Sequence, residues 1–180
     1  MKRSRAFLSL LLFLTLPRLA EPQESERNLL IEVILTTSDV HRTETLVYLR
    51  VFSNGFAEAH PMHDVDFRTL ALKRAQIPAS DLARLREVLS PSKTHGLANK
   101  YERNWGNIDF GTEWEITLGE GEGKKTITLV NFQPFLARKK KQPYPAEIEN
   151  LGCMIWELRR NVFNEPLDKD YVRGCREWGY

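Results

Sequence analysis

Trp114-Glu115-Ile116-Thr117-Leu118, then Gly119-Glu120-Gly121-Glu122-Gly123 and a return through residues 126–132, is the stretch that decides the fold. Trp114, Ile116 and Leu118 alternate with Glu115 and Thr117, so the segment reads as a strand with one dry face and one wet face. The glycine-rich turn reverses the chain, and an antiparallel hairpin follows. Upstream, residues 29–35 are apolar and β-branched, with Ile31, Val33 and Leu35 on one face of a further strand. Residues 36–43 are polar and read as a loop. The next strand covers residues 45–52, with Val47, Leu49 and Val51 on one side and Tyr48 and Phe52 on the other. Ser53-Asn54-Gly55 turns it back through Phe56 and Ala59, because Asn and Gly tolerate the positive φ of tight turns. Leu70 and Leu72 alternate with polar neighbours and suggest one more short strand.

Two helices complete the pattern. Leu82, Leu85 and Leu89 recur at helical spacing after Ser80 or Asp81, either of which can cap the exposed amides, and Pro91 ends the helix. Pro145 suits the first position of a second helix, along which Ile148, Leu151, Ile155, Leu158 and Val162 form an apolar stripe. Glu147 and Glu149 at its start and Arg159 and Arg160 near its end complement the helix dipole. Residues 91–111 form a long irregular stretch. No regular alternation of strand and helix calls for a parallel sheet. The expectation is one α+β domain over residues 28–163, an antiparallel sheet of five or six strands with two helices packed on one face.

The termini read differently. Lys2, Arg3 and Arg5 precede an apolar run over residues 6–14 that continues past Thr15 to Leu16. A basic head before a short apolar segment is the pattern of a secretory leader, and the run falls short of the about 20 apolar residues a membrane span needs. Cleavage is expected after Ala20, although Arg18 stands where a small residue is preferred, so an uncleaved membrane anchor is the alternative. Residues 21–27 are a polar lead-in, and 164–180 a polar tail.

Four of the 26 Lys and Arg lie in the first 20 residues and none of the 24 Asp and Glu do. The remainder therefore holds 22 cations against 24 acids, which argues against nucleic acid as a partner. In an oxidising compartment Cys153 and Cys175 favour a disulfide over a metal site or nucleophile, the alternative being two unpaired thiols. The bond would tie the tail to the second helix.

Residues 48–158 resemble a group of small exported bacterial domains of unknown function. The resemblance rests on Phe52-Ser53-Asn54-Gly55, on Ile77-Pro78-Ala79-Ser80-Asp81-Leu82 opening a helix, on Lys124-Lys125 in an aromatic hairpin, and on Tyr144-Pro145 before the last helix. The chain has Glu44-Thr45-Leu46-Val47-Tyr48 where the group often carries a Cys-Pro-x-Tyr segment. The resemblance implies the fold and no catalytic residues.

His60 and His63 with Asp64 and Asp66 are the densest set of potential metal ligands, but on a strand the two imidazoles point apart unless Pro61 turns the chain. A solvated loop is the simpler reading, and no metal is assigned. His41 and His95 sit in other polar loops. Residues 119–126 are no phosphate loop, since Lys124 is followed by Lys125 and the flanks are strands. No Gly-x-Ser-x-Gly and no cofactor fingerprint occurs. Asp109, Glu113 and Glu115 could supply the paired carboxylates of sugar hydrolysis.

Two stretches suit binding. Tyr101, Trp105, Phe110 and Trp114 mix with Asn104, Asn107 and Asp109, as sugar or peptide recognition prefers, or else cap the open end of the core. Arg138, Lys139, Lys140 and Lys141 form a cationic run that could touch anionic envelope polymers or lipid head groups, or simply be solvated. The expected function is an exported, non-enzymatic binding module of the cell envelope for a protein, peptide or glycan, with Tyr101, Trp105 and Asn107 at its centre. An inhibitor of an exported hydrolase, using loop 119–123, belongs to the same class. The competing class is a small exported hydrolase using Glu113 and Glu115, or His60 and His63 with Asp64.

Overall fold

A computed structural model describes residues 28–61, 71–102, 110–119, 124–132, 144–166 and 175. In chain order the elements are β1 Leu29–Asp39, β2 Thr43–Phe52, β3 Phe56–Ala59, β4 Lys73–Gln76, α1 Ala79–Val88, α2 Pro91–Thr94, β5 Lys100–Glu102, β6 Phe110–Leu118, β7 Lys125–Val130 and α3 Ala146–Phe163. The strands form one sheet in the order β4-β3-β2-β1-β6-β7-β5. Every neighbouring pair is antiparallel except β5 and β7.

The mixed α and β composition and the mostly antiparallel sheet agree with the sequence. The counts do not, because the described residues hold seven strands rather than five or six and three helices rather than two. Each discrepancy has a local cause. Thr36, Thr37 and Ser38 are strand and not loop, paired to β2 on one side and β6 on the other, and Asp39 pairs to β6. The Asp39 carboxylate accepts the amides of His41 and Arg42 at 2.7 Å each, which tightens the turn. β4 begins after Leu72 and carries Lys73, Arg74 and Gln76. Charge on an edge strand discourages unwanted pairing, so apolar alternation is a poor guide there. β5, three residues long, pairs parallel to β7 within the stretch read as irregular. Pro91 opens the one-turn helix α2 instead of closing α1. The Lys125 ammonium caps α2 and the turn after it, donating to the carbonyls of Thr94, His95 and Leu97 at 2.9, 3.2 and 2.6 Å.

The core lies on one face of the sheet. Ile31, Val33, Leu35, Trp114, Ile116, Leu118, Ile127 and Leu129 are buried, as the alternation requires. β2 departs from its expected pattern. Leu49 pairs with Val33 and Val47 with Ile34, which leaves Tyr48 as the extra residue of a β-bulge. The bulge moves Tyr48 and Leu46 into the core beside Leu49 and Val51, while Val47 turns to the other face.

α1 and α3 cover the core face, while the one-turn helix α2 buries no side chain. Ile148, Leu151, Ile155, Leu158 and Val162 of α3 are buried in a single cluster with the strand residues. Pro145 is the N-cap rather than the first helical residue, and Asn164, at φ 61, ends the helix in the left-handed conformation. α1 is likewise preceded by Pro78, without a side-chain cap, so Ser80 and Asp81 lie inside its first turn. Asp81 instead takes Asn161 of α3 at 2.9 Å. Arg84 reaches both oxygens of buried Glu157 at 3.4 and 3.2 Å, tying α1 to α3.

Cys153 of α3 is bonded to Cys175, with Cα atoms 5.8 Å apart. The bond is compatible with export. Among the described residues no helix is long and apolar enough to cross a membrane. Reducing the bond, or replacing Cys175 by serine, is expected to lower the unfolding free energy by about 3 kcal/mol, the loop-closure value for a separation of 22 residues. Urea midpoints with and without reductant measure this, and an unchanged midpoint would contradict it.

Candidate functional site

Beside the Arg84–Glu157 and Asp81–Asn161 links between α1 and α3, the described residues hold a polar cluster inside the core and another on the opposite face of the sheet. The interior site centres on Arg159 of α3, which is 7% exposed. Its guanidinium donates to the Tyr48 and His60 carbonyls at 2.6 Å each, and lies over the Tyr48 and Phe163 rings at 4.5 and 4.8 Å. The bulge presents the first carbonyl. The second is available because the ladder is altered at His60. The His60 amide donates to the Val47 carbonyl at 3.0 Å, but the Val47 amide donates to the His60 Nδ1 atom at 3.1 Å rather than to the His60 carbonyl. The imidazole replaces its own backbone oxygen and leaves that oxygen to Arg159.

Burial pushes the Tyr48 phenol up to about 12, against the pull of Arg159. Burial also lowers Arg159 from its ordinary value. His60 is lowered too, by burial first and then by the nearby Arg50 charge. The Val47 bond acts in the same direction, since only an unprotonated Nδ1 can accept it. The folded protein therefore takes up the His60 proton at lower pH than the unfolded chain does. Stability is then full above the ordinary imidazole value of about 6.5 and falls as pH drops below it. Urea midpoints between about pH 7 and pH 5.5 should decline for the wild type and decline less for His60→Gln. A flat or rising wild-type profile would contradict the assignment.

A chain of rings runs from this point to the far edge of the sheet. Centroid distances are 4.7 Å for Tyr48–Trp114, 5.5 Å for Trp114–Phe132, 5.1 Å for Phe132–Tyr144 and 6.2 Å for Tyr144–Tyr101. Trp114 is buried, and half-buried Tyr101 packs against the core with its hydroxyl accepting from the Ala98 amide at 2.9 Å. These two rings occupy the core-capping place. Trp105, Asn107, Asn104, Asp109, Arg138, Lys139, Lys140 and Lys141 lie outside the described residues, as do His63, Asp64 and Asp66. Among the described residues no group of three His, Cys, Asp or Glu is placed to hold a metal.

The second site is the sheet face opposite the core, which neither α1 nor α3 covers and on which Glu58 and Thr117 are nonetheless buried. Register puts Arg74, Glu58, Arg50 and Glu32 side by side across β4, β3, β2 and β1, and Thr117 and Thr126 continue the row through β6 and β7. Arg74 and Glu58 are 2.9 Å apart, Arg50 and Glu32 2.5 Å, and the two threonine hydroxyls 3.4 Å. The Glu58 side chain is only 7% exposed, whereas that of Arg74 is 60% exposed. Apolar side chains flank the row on both sides. Phe52 and Phe56 follow from Arg50 and Glu58 by strand alternation, and Ile34 faces Val47 across β1 and β2. Phe56 is 43% exposed. Glu113 and Glu115 stand exposed on the same face of β6. Glu32, Arg50 and Glu58 each sit between apolar neighbours in sequence, a visible signal, but their union into one row depends on strand order.

Two grooves lined by described residues lie elsewhere. One, of about 490 Å³, has Leu30, Leu89, Pro91 and Leu118 in its walls; the other, of about 450 Å³, lies beside Pro78 and Asn164. Neither contains Tyr48, His60 or Arg159, the described groups with shifted titration. No protein-family model matches the chain, and no curated protein matches it.

Proposed function

We propose that the chain is an exported, non-enzymatic interaction module of the cell envelope whose sheet face opposite the core contacts a protein partner. The observation that carries this reading is the face itself: α1 and α3 lie on the other side, and an ordered charge row is bordered by exposed and half-buried apolar side chains. Mixed apolar and paired polar groups on one sheet face suit a protein contact. A glycan platform built on Tyr101 is less favoured, because that ring packs on the core and its hydroxyl is engaged. Export rests on the leader pattern and is compatible with the Cys153–Cys175 bond. The hydrolase alternative would draw on Glu113 and Glu115, which stand exposed on a sheet face and away from both grooves.

A photo-crosslinking residue placed at Ile34, and separately at exposed Glu87 on the helical side, tests the reading in intact cells. Protein adducts from position 34 and none from position 87 are expected. Adducts from position 87 alone, or from neither, would overturn it.

A further inference from the structure

We propose that the partner on this sheet face is a second copy of this chain, docked about a two-fold axis that runs parallel to the strands between β2 and β3. The proposal rests on the protein-contact reading of that face and names its occupant. It follows from the order of signs in the row. Arg74, Glu58, Arg50 and Glu32 alternate over four adjacent strands. An alternating row of even length, turned end for end, meets the original with every sign opposed. Arg74 then faces Glu32 of the second copy, and Glu58 faces its Arg50. The other in-plane two-fold, perpendicular to the strands, would set Arg on Arg and Glu on Glu. Moving the axis onto β2 would do the same. Charge therefore selects both the direction and the position of the symmetry axis.

Three further features agree. A two-fold along the strands keeps the strand directions of the two sheets aligned, the common way for sheets to stack. It places Phe52, Phe56, Ile34 and Val47 inside the overlap, where they supply apolar contact. It leaves β6 outside, so Glu113 and Glu115 meet no acid of the second copy. Strands about 4.8 Å apart, with about six residues each of 3.3 Å rise, give an overlap on the order of 400 Å² a side. That lies below the about 800 Å² a side of a standard interface. The dimer is accordingly weak and concentration-dependent, and its charges select partner and register more than they supply affinity.

The test reverses the whole row in one variant: Arg74→Glu, Glu58→Arg, Arg50→Glu and Glu32→Arg. Alternation within the chain survives, and so does self-complementarity between two copies of the variant. A mixed dimer of variant and wild type would instead oppose like charges at all four contacts. Each form is expected to dimerise with itself, with mixed dimers at least about tenfold rarer than random mixing gives, read by native mass spectrometry after exchange. Mixing at the random frequency overturns the proposal. Because the reversed chain could fail to fold, sedimentation of the wild type alone provides a second reading. A dimer weakened by added salt is expected, and a monomer at every concentration overturns the proposal. If the wild type is monomeric while position 34 crosslinks to a different protein, the self-association fails and the protein-contact reading stands. If position 34 gives no adduct at all, the reading fails as well.

Discussion

Replacing Arg159 by methionine is expected to lower the unfolding free energy by about 3–5 kcal/mol. Methionine keeps much of the apolar stem and removes the guanidinium. Exchange of a buried ion pair for apolar residues can be nearly neutral when both partners leave. Here the acceptors are the main-chain carbonyls of Tyr48 and His60, which no substitution removes. Each stranded carbonyl costs about 1–3 kcal/mol, and loss of the cation from between the Tyr48 and Phe163 rings adds about 1 kcal/mol. Arg159→Lys should recover only part, since one ammonium lacks the planar fork that reaches two carbonyls at once. Urea unfolding followed by circular dichroism measures the series. A cost below about 1 kcal/mol for the methionine variant would show that the clasp does not hold the bulge.

Leu151→Ala is expected to cost about 2–5 kcal/mol. The side chain is 1% exposed and belongs to the cluster that joins α3 to the sheet. Truncation loses its transfer free energy and leaves a cavity among Ile148, Ile155 and the strand residues. Glu147→Ala, one turn earlier on the exposed side, should cost less than about 1 kcal/mol, mainly through the helix dipole. Equal costs for the two would mean that the apolar stripe of α3 is not the packed face.

The parts of the fold legible in the sequence are those in which local pattern and tertiary burial agree. Ile31, Val33 and Leu35, the Asn54-Gly55 turn, Trp114, Ile116 and Leu118, and the α3 stripe all lie where alternation or helical spacing puts them. The Cys153–Cys175 pair likewise followed from an even cysteine count read in an oxidising context. The rest depended on pairing. Thr36 and Thr37 look like loop residues because they extend a strand whose second face is polar. The bulge at Tyr48 exists only relative to β1, so no periodicity within β2 announces it. Its charge suits Arg159 to the helix dipole, although it stands four residues after Ile155 and three before Val162, on the buried stripe itself. That spacing was the available signal. Tyr101 was found at the core rim, and its companions Trp105 and Asn107 lie outside the described residues. The charge row required the strand order β4-β3-β2-β1, which separates Arg74 from Glu32 by far more sequence than any local motif spans.

The most direct test of this sheet face as a self-association surface follows backbone amide NMR shifts as the concentration of the oxidised protein is raised. Concentration-dependent shifts are predicted to gather on Glu32, Ile34, Val47, Arg50, Phe56, Glu58 and Arg74, with the α3 amides unmoved. Shifts centred on Tyr101 or on the groove at Leu89 and Pro91, or none up to the limit of solubility, would contradict it.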